Sequence, residues 1–309
     1  MMHDFYTADV FTTRPFQGAQ IAVFPHADAL KKDEMQRIAS ELNLSETVFV
    51  SARERAARHR RLRIFSPQAE VDFAGHPIIA TGHVLASIGD IELDGDYTAM
   101  VFEQNHGEVD VHIKTVAGRP EQVQFSMPVS AVTDAFVPME RELADILGLE
   151  ASELGHDKLQ ALLSSCGRNY LIVPLRNQAA VRKARFNYRA WSQSSAPSTL
   201  AREILLVATT PGQEYADFHA RLLGPEIGTA EDPPIGSAMP AFTAYLVRHP
   251  HIKHGTYPFT IDRGTESTRR SILNIEMDNR GEDDMTIRVG GPAVLMSQGR
   301  LLCGDLAPA

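Results

Sequence analysis

Cysteine is almost missing from this 309-residue chain, which contains only Cys166 and Cys303. Two cysteines cannot build the disulfide framework of a small secreted protein. Neither belongs to a Cys-x-x-Cys pair, the spacing that many zinc and thiol redox sites use. The low cysteine content therefore excludes a disulfide scaffold and gives no sign of a thiol-based centre.

Long apolar runs and a positive net charge are also missing. No stretch approaches the roughly 20 apolar residues of a membrane span. The N-terminal segment MMHDFYTADVF lacks the basic and then apolar regions of a signal peptide, so we expect a cytoplasmic protein without a membrane partner. The net charge of −9 argues against a nucleic-acid partner, because such surfaces are normally basic. The one dense basic run, Arg53–Arg63, is interpreted as a solvated hairpin tip.

Several motifs that indicate particular enzyme classes do not occur. The sequence has no Gly-x-Ser-x-Gly nucleophile elbow, no Walker loop and no Gly-x-Gly-x-x-Gly at a strand-to-helix turn. We therefore expect neither a nucleotide nor a flavin, and no other cofactor. The tract from His249 to His254 is interpreted as a loop, and we expect no metal.

The composition is that of a globular protein with room for two domains. Hydrophobic residues make up 43% of the chain and charged residues 22%, the usual proportions of a soluble domain. The polar stretch Thr115–Glu121, which contains glycine and proline, is the predicted boundary. We predict an N-terminal domain of residues 1–118 and a C-terminal domain of residues 119–309, with the last strand either in the second domain or paired with the first.

Two stretches of the chain are built to the same plan. Glu, Gly, Ala and Leu recur at five-residue intervals in Glu70–Leu85 and again in Glu231–Leu246. In each, a glycine and then a polar residue lead into an apolar run with helical spacing. A glycine loop that opens a helix presents backbone N–H groups that favour a bound anion. The repeat therefore predicts two similar domains whose helix N-termini face a shared cleft.

Hydrophobic periodicity predicts the helices and strands of both halves. The predicted helices are Asp33–Leu42, Gly75 to about Ser87, Met139–Leu147 and Gly236 to about Val247. The predicted strands are Met2–Val10, Gln20–Phe24, Thr47–Val50, Arg61–Phe65, Ala99–Glu103, Val109–Lys114, Val123–Met127, Asn169–Val173, Ala201–Ala208, Ser271–Met277, Met285–Val289 and Ala293–Met296. Turns are predicted at Asp278–Arg280 and Gly290–Gly291.

Glu46 is the strongest candidate for chemistry. It lies where the first predicted helix meets an apolar strand, a position expected to be partly buried. Burial raises the pKa of a carboxyl group toward neutrality, which suits a group that takes up and returns a proton. The alternative is a carboxylate that caps amides at the end of the helix.

The two glycine loops carry the other candidates. His76, after Gly75, can bind a substrate carboxylate or act as an acid, or it is a structural histidine. His83 lies two helical turns further on and is expected to be packed or solvated. In the second loop, Asp232 offers a carboxylate, with an ordinary acidic loop as the alternative. Ser237 offers a hydroxyl and an N–H to an anion, or it caps the helix.

Taken together, these segments resemble the phenazine-biosynthesis PhzF family, which shares the diaminopimelate epimerase fold. The resemblance spans nearly the whole chain in the expected order. The matching segments are Ser45–Val50, Phe65–Pro67 with Glu70, Ala74–Pro77, Glu231–Pro233 with Gly236–Ala238, and Val289–Gly291. The resemblance implies an α+β fold of two similar domains, each a mostly antiparallel sheet wrapped around a central helix, with the active site between them. It also implies a homodimer.

The resemblance further implies a reaction. In the epimerases a cysteine from each half exchanges the α-proton, whereas Ala74 and Asp232 stand near those positions here. The chain therefore looks like the cysteine-free branch, in which the residue matching Glu46 shuttles a proton between carbons of a small carboxylate-bearing substrate. The implied site residues are Glu46, His76 and Asp232 for catalysis and Gly75, Gly236 and Ser237 for substrate binding.

Two departures from the family pattern concern substrate recognition. The family's Gly-Asn-Pro near the N-terminus reads Gly18-Ala19-Gln20 here, without the Asn amide, and the second loop reads Pro234-Ile235 where Ala-Thr is usual. The phenazine-precursor substrate is therefore not transferred to this chain. An amino-acid racemase or epimerase, and a protein that binds a small acid without turnover, remain alternatives.

Overall fold

The computed structural model describes residues 2–52, 58–130, 132–155, 159–166, 168–210, 216–225, 227, 235–248, 252, 254–281 and 284–302. The chain divides into two compact units, one formed by Met1–Met127 with Arg288–Ala309 and the other by Pro128–Ile287. Helices combine with mostly antiparallel strands in the described residues, which confirms the α+β prediction. No helix in this part of the chain is long and apolar enough to cross a membrane.

The elements are numbered in chain order. The helices are α1 (Lys32–Leu42), α2 (Gly75–Ser87), α3 (Glu140–Leu147), α4 (Gln178–Lys183), α5 (Tyr188–Gln193) and α6 (Met239–Val247). The strands are β1 (Met2–Val10), β2 (Ala19–Phe24), β3 (Glu46–Ala52), β4 (His59–Phe65), β5 (Glu70–Val71), β6 (Tyr97–Gln104), β7 (Gly107–Val116), β8 (Arg119–Pro128), β9 (Val132–Asp134), β10 (Leu162–Ser165), β11 (Asn169–Pro174), β12 (Glu203–Thr209), β13 (Phe218–Leu223), β14 (Gly255–Arg263), β15 (Ser271–Gly281), β16 (Asp284–Gly291) and β17 (Ala293–Leu302).

In the first unit, the two ends of the chain meet in one set of strands. Strand β17 pairs antiparallel with β1, so the last strand returns to the N-terminal part of the chain. Strands β1 and β2, β3 and β4, β6 and β7, and β7 and β8 are also antiparallel. Strand β3 instead runs parallel to β2, which places the start of β3 beside the start of β2.

Helix α1 and three phenylalanines fix the position of β3. Met35 and Ile38 of α1 are buried in one cluster with Phe24, Phe49 and Phe65. The ring centroids of Phe24 and Phe49 are 4.9 Å apart, and those of Phe49 and Phe65 are 5.5 Å apart, within the range of favourable aromatic pairs. The corner between α1 and β3 is therefore attached to a packed core on both sides.

Helix α2 is the central element of the first unit. Every residue from Gly75 to Ala86 is buried, as expected for a helix that is apolar all round. A Cβ atom on Gly75 would lie 2.8 Å from the Phe125 ring, and one on Gly82 would lie 2.8 Å from Val123. The two glycines lie two turns apart on one face, so they let β8 approach the helix closely.

In the second unit the fully buried helix is α6. Its residues from Met239 to Leu246 are buried, and one turn of 3-10 helix at Gly236–Ala238 precedes it. Pro240 near the start of α6 suits the first turn of a helix, where its missing N–H is not needed. A second cluster packs α3 and α4 against β11 and β12. Strands β11 and β12 are parallel, and β12 and β13 are antiparallel.

The polar stretch Thr115–Glu121 is a hairpin rather than a domain linker. Ala117 and Gly118 both have positive φ angles, 51° and 73°, and connect β7 to β8. Two central residues of this kind form the tight turn that suits the twist of paired strands. The predicted boundary between residues 118 and 119 thus falls inside a hairpin, and the compact units divide after Met127 instead.

Two predicted turns are strand residues. Asp278 and Asn279 pair with Thr256 and Gly255 of β14, so β15 continues through the polar residues to Gly281. Gly290 lies in β16, where an added Cβ would be 3.1 Å from Gln124 of β8. The glycine at this position therefore permits close strand packing, which a local sequence pattern does not distinguish from a turn.

Candidate active site

The corner that carries Glu46 is fixed by backbone and side-chain hydrogen bonds. Helix α1 ends at Asn43, whose φ angle is 49° and whose N–H donates to the Ala39 carbonyl at 3.1 Å. The Ser45 hydroxyl donates to the Gln20 carbonyl of β2 at 3.2 Å. Glu46 then begins β3 beside Ile21 of β2. The chain therefore presents Glu46 from a short, anchored connection.

The Glu46 carboxyl group lies in a dry environment. The residue is half-buried, but its Oε2 atom is sealed from solvent and has no hydrogen-bond partner among the described residues. Burial raises the pKa of Glu46 above its ordinary value, and the Ser45 hydroxyl opposes this shift. Oε2 therefore caps no described amide, and the raised pKa suits a group that exchanges a proton.

His76 occupies the second position of α2. Its side chain is buried, and its ring packs edge-on against Phe11 with 5.2 Å between centroids. Phe11 has a φ angle of 62°, which is unusual for a bulky residue, and its N–H donates to the Pro292 carbonyl at 2.8 Å. Strained conformations of this kind cluster at functional sites because the surrounding structure must hold them.

The start of α2 offers backbone donors. No side chain caps the helix, and the Ala74 N–H donates to the Gln104 side-chain oxygen at 3.2 Å. Pro77 has no N–H, so the donors of this first turn are the amides of Gly75 and His76. The positive end of the helix dipole adds to their attraction for an anion.

His83 is a packed residue, one of the two outcomes expected for it. Its ring is buried, and its Nδ1 atom has no hydrogen-bond partner in the part of the chain that the structure describes. Burial lowers the pKa of His83 from 6.5 to about 4. His83 is therefore neutral at physiological pH.

Replacing His83 with glutamine is expected to flatten the pH dependence of stability. The unfolded chain binds a proton on this histidine below pH 6.5, but the folded chain does so only near pH 4. The wild-type free energy of unfolding should therefore fall by about 3 kcal/mol between these values, and this loss should vanish in the variant. Urea titrations at pH 7, 6, 5 and 4 measure it. His112→Gln, at an exposed site on β7, is the matched control, and an equal effect there would contradict the assignment.

Glu70, the first residue of the repeated stretch, has a structural role. Its two oxygens accept from Arg63 Nε and Nη2 at 2.8 and 2.9 Å, and Lys32 Nζ lies 2.9 Å away. The Arg63 hydrogen bonds hold the pKa of Glu70 at about 2.

Arg63 also belongs to the basic run, of which residues 53–57 lie outside the described part. The described remainder is not only a solvated tip, because it forms much of β4 and makes ion pairs.

The second loop is described only in part. Asp232 and Glu231, with the two prolines that follow, lie outside the described residues. Gly236 is buried and Ser237 is half-buried at the start of the 3-10 turn before α6. Of the predicted site residues, the structure therefore describes Glu46, Gly75 and His76 in the first unit and Gly236 and Ser237 in the second.

Sequence reasoning missed a polar group beside Ser237. Tyr170 of β11 is only 1% exposed, and it pairs in register with Glu203 of β12. Burial, and then the negative charge of Glu203, raise the pKa of the Tyr170 phenol, while the Ser237 hydroxyl opposes them. The strand NYLIV was predicted from its apolar residues alone, but a tyrosine in such a strand is a signal, because its buried hydroxyl needs a hydrogen-bond partner.

The segment Gly18-Ala19-Gln20, which differs from the family's Gly-Asn-Pro, lies at the start of β2. Gly18 and Ala19 are buried and Gln20 is exposed. Asp9 of β1 pairs with Gln20 in the strand ladder, and its buried carboxylate accepts from the Phe16 N–H at 2.8 Å. Asp9 therefore orders the loop that precedes Gly18. Its position within a predicted strand gave no indication of this role.

One group of side chains could hold a metal ion among the described residues. The ligand atoms of His59, Glu103 and Glu108 lie within 4.8 Å of one another on three neighbouring strands. None of them is a predicted site residue. Of the histidine tract, His254 is exposed, and His249 and His251 lie outside the described residues.

Comparison with protein families identifies a match over most of the chain. The family model of the phenazine biosynthesis-like proteins, PhzC-PhzF, matches residues 8–299. An uncharacterised isomerase from Mesorhizobium japonicum is 31% identical over 308 residues, covering 95% of this chain and 96% of the relative. A trans-2,3-dihydro-3-hydroxyanthranilate isomerase from Pseudomonas aeruginosa is 29% identical over 299 residues, covering 97% and 99%.

A solved structure supports the same fold. The crystal structure of a PhzF-family phenazine biosynthesis protein from Bacillus anthracis matches with a TM-score of 0.84 and 24% identity. The match covers 98% of this chain and 100% of that protein. The correspondence therefore extends over the whole architecture rather than over one unit.

Proposed function

The chain belongs to the phenazine biosynthesis-like family, PhzC-PhzF, and from this premise we propose that it is a cofactor-independent isomerase in which Glu46 moves a proton between two carbons. Relatives named as isomerases match nearly the whole chain. The observation that carries the proposal is the dry Glu46 carboxyl group, with a sealed Oε2 atom and a raised pKa. A carboxyl group whose pKa is raised by burial holds a proton more readily than an exposed one, which suits a group that accepts a proton and returns it.

The proton balance of the reaction is simple. The Glu46 carboxylate takes a proton from a carbon of the substrate, and the electron pair of the broken C–H bond enters the neighbouring unsaturated system. The protonated Glu46 exchanges its proton with solvent and then gives a proton to another carbon, so a double bond moves and no electrons are lost or gained. In this proposal the N–H groups of Gly75 and His76 stabilise the negative charge that develops, because the positive end of a helix dipole attracts negative charge.

The proposed substrate is a small, cyclic or amino-acid-like carboxylate. Its carboxylate and polar groups are held by His76 and Gly75, and by Asp232, Gly236 and Ser237 of the second loop. The Pseudomonas aeruginosa relative is named for trans-2,3-dihydro-3-hydroxyanthranilate, which belongs to this chemical class. Ala19 and Gln20 replace the family's Asn-Pro, so the substrate of this chain differs in the polar group that the Asn amide would meet. The proposal includes a homodimer, which sedimentation velocity measures.

Solvent-deuterium exchange tests the proposal. The protein is incubated in D₂O with trans-2,3-dihydro-3-hydroxyanthranilate and with a panel of small unsaturated carboxylic acids and amino acids. We expect a carbon-bound deuterium and a displaced double bond in at least one compound, detected by NMR and mass spectrometry. Heat-denatured protein is the control.

The same experiment separates the alternatives. Deuterium incorporation with inversion at one carbon and no displaced double bond would indicate a racemase or epimerase. Binding of an acid, measured by calorimetry, without any incorporation would indicate a binding protein. Either result would replace the proposed isomerase.

A further inference from the structure

A histidine and two glutamates meet on the strands β4, β6 and β7. Glu103 and Glu108 lie directly opposite each other in the antiparallel pair of β6 and β7, and His59 belongs to β4, which runs parallel to β6. The ligand atoms of the three side chains lie within 4.8 Å of one another. Like charges directly opposite on paired strands are destabilising, so a cation between the two carboxylates stabilises the pairing.

The distances within this cluster suit a shared ion better than hydrogen bonds. His59 Nε2 is sealed from solvent and has no hydrogen-bond partner among the described residues. It lies 3.8 Å from Glu103 Oε2 and 3.7 Å from Glu108 Oε1, beyond the roughly 2.7 to 3.2 Å of an N–H···O hydrogen bond. Two atoms that bind one zinc ion at about 2.1 Å in tetrahedral geometry are about 3.4 Å apart. A movement of a few tenths of an ångström therefore brings the nitrogen and both oxygens onto one ion.

Neighbouring side chains orient one of the carboxylates. Arg61 Nη1 donates to Glu103 Oε1 at 3.4 Å, and Arg61 also donates to the side-chain oxygen of Asn105. The other oxygen of Glu103, Oε2, is the one that faces His59 Nε2. Carboxylates that bind metal ions are held by outer partners in this way. The Arg61 charge also offsets part of the negative charge, so we expect moderate rather than tight binding.

The cluster lies at the end of β4 that is remote from Glu46. In the antiparallel pair of β3 and β4, Thr47 lies opposite Phe65 and Ala52 lies opposite Arg60. At about 3.4 Å per residue, the start of β4 is therefore about 20 Å from its end beside Glu46. The pairing of β4 with β6 extends over only three residues on each strand, so an ion at this point cross-links a short ladder.

We propose that His59, Glu103 and Glu108 form a binding site for a divalent transition-metal ion of the zinc class, which ties β4 to the hairpin of β6 and β7. An imidazole nitrogen with carboxylate oxygens is a donor set that suits zinc, and two carboxylates balance the charge of the ion. Three protein ligands leave a position for water. The site has a structural role, because it lies far from the proposed proton transfer.

Calorimetric titration with ZnCl2 tests the site on the full chain, after EDTA treatment and dialysis. We expect one zinc ion per chain, and a Kd at least about tenfold higher in His59→Gln and in Glu108→Gln. The Glu108 side chain is 66% exposed, so its replacement removes a ligand without disturbing the core. His112→Gln on β7 and His254→Gln in the histidine tract, both at exposed positions, are the matched controls and should bind zinc as the wild type does.

Thermal melting gives a second measurement. Zinc at about ten times its Kd should raise the Tm of the wild-type protein, because an ion that binds only the folded chain stabilises it. The same zinc concentration should leave the Tm of Glu108→Gln unchanged. Melting curves in EDTA should coincide for the two proteins, which shows that the variant is folded.

Three results would each overturn the site. An unchanged Kd in either ligand variant would leave His59 as an ion-pair partner of the carboxylates and no more. Binding lost in His254→Gln would place the ion at the histidine tract. No binding at about 1 mM zinc, or several weakly bound ions per chain, would indicate an adventitious ion only. These measurements use no substrate, so their outcome is independent of the proposed isomerase.

Discussion

Glu46→Gln is expected to lower the rate of deuterium exchange into a turned-over substrate about a thousandfold, because glutamine cannot take up and return the proton. The amide keeps the shape of the carboxyl group, so substrate affinity should change little. Exchange measured by NMR under single-turnover conditions gives the rate of the chemical step. Exchange at the wild-type rate in this variant would remove Glu46 from the mechanism.

Stability distinguishes lost chemistry from a lost fold. The folded-state pKa of Glu46 is raised above 4.5, so the stabilisation from its protonated form is present below pH 4.5 and is lost as the pH rises through the folded pKa. Glutamine carries no charge at any pH, so the variant should be at least as stable as the wild type at pH 8. Glu41→Gln, at an exposed site on α1, is the matched control and should leave both exchange and Tm unchanged.

Gly18→Ala is expected to destabilise the protein by about 3 to 5 kcal/mol. Gly18 has a φ angle of 72°, and an added Cβ would lie 2.1 Å from the Val10 carbonyl oxygen. That contact involves backbone on both sides, so no side chain can rotate away to relieve it. Urea denaturation followed by circular dichroism measures the free energy of unfolding.

Gly89→Ala separates the clash from the backbone conformation. Gly89 has nearly the same φ angle, 77°, but no atom lies within 4 Å of its added Cβ. Only the left-handed conformation is then penalised, and the expected loss is about 1 to 2 kcal/mol. Equal losses in the two variants would mean that the clash at Gly18 relaxes.

Gly18→Ala should also reduce deuterium exchange. Gly18 lies two residues before Gln20, whose carbonyl anchors Ser45 beside Glu46.

Much of the secondary structure near the candidate site could be predicted from the sequence. The pattern places strand β1 at Met2–Val10, as the structure does. It also starts α2 at Gly75 and ends α1 before Asn43. These features depend on the local spacing of apolar residues and, at the end of α1, on Asn43, which tolerates the left-handed conformation. A short stretch of sequence is therefore enough to predict them.

Strands with buried polar residues were not predictable in this way. Strands β13 and β14 contain His219 and Asp262, which are buried and interact at 3.2 Å, and Arg270 donates to the same carboxylate at 2.7 Å. A charged residue is normally predicted to be exposed, because its burial requires a partner. The partner is not visible in a local pattern here, since His219 and Asp262 lie more than forty residues apart in the sequence. The same limit hid Tyr170, whose neighbours Glu203 and Ser237 come from distant parts of the chain.

By itself, the sequence determined most helices and strands, the two glycine-led helices, and Glu46, His76 and Ser237 as candidates, because periodicity and loop composition are local properties. The α+β class followed from the resemblance to a known family. Only the tertiary structure decided that β17 returns to β1, that Glu70 is held by Arg63, and that Glu46 Oε2 is sealed from water. Each of these depends on which residues the fold brings together, and burial changes the proton affinity of a carboxyl group only after the chain has closed around it.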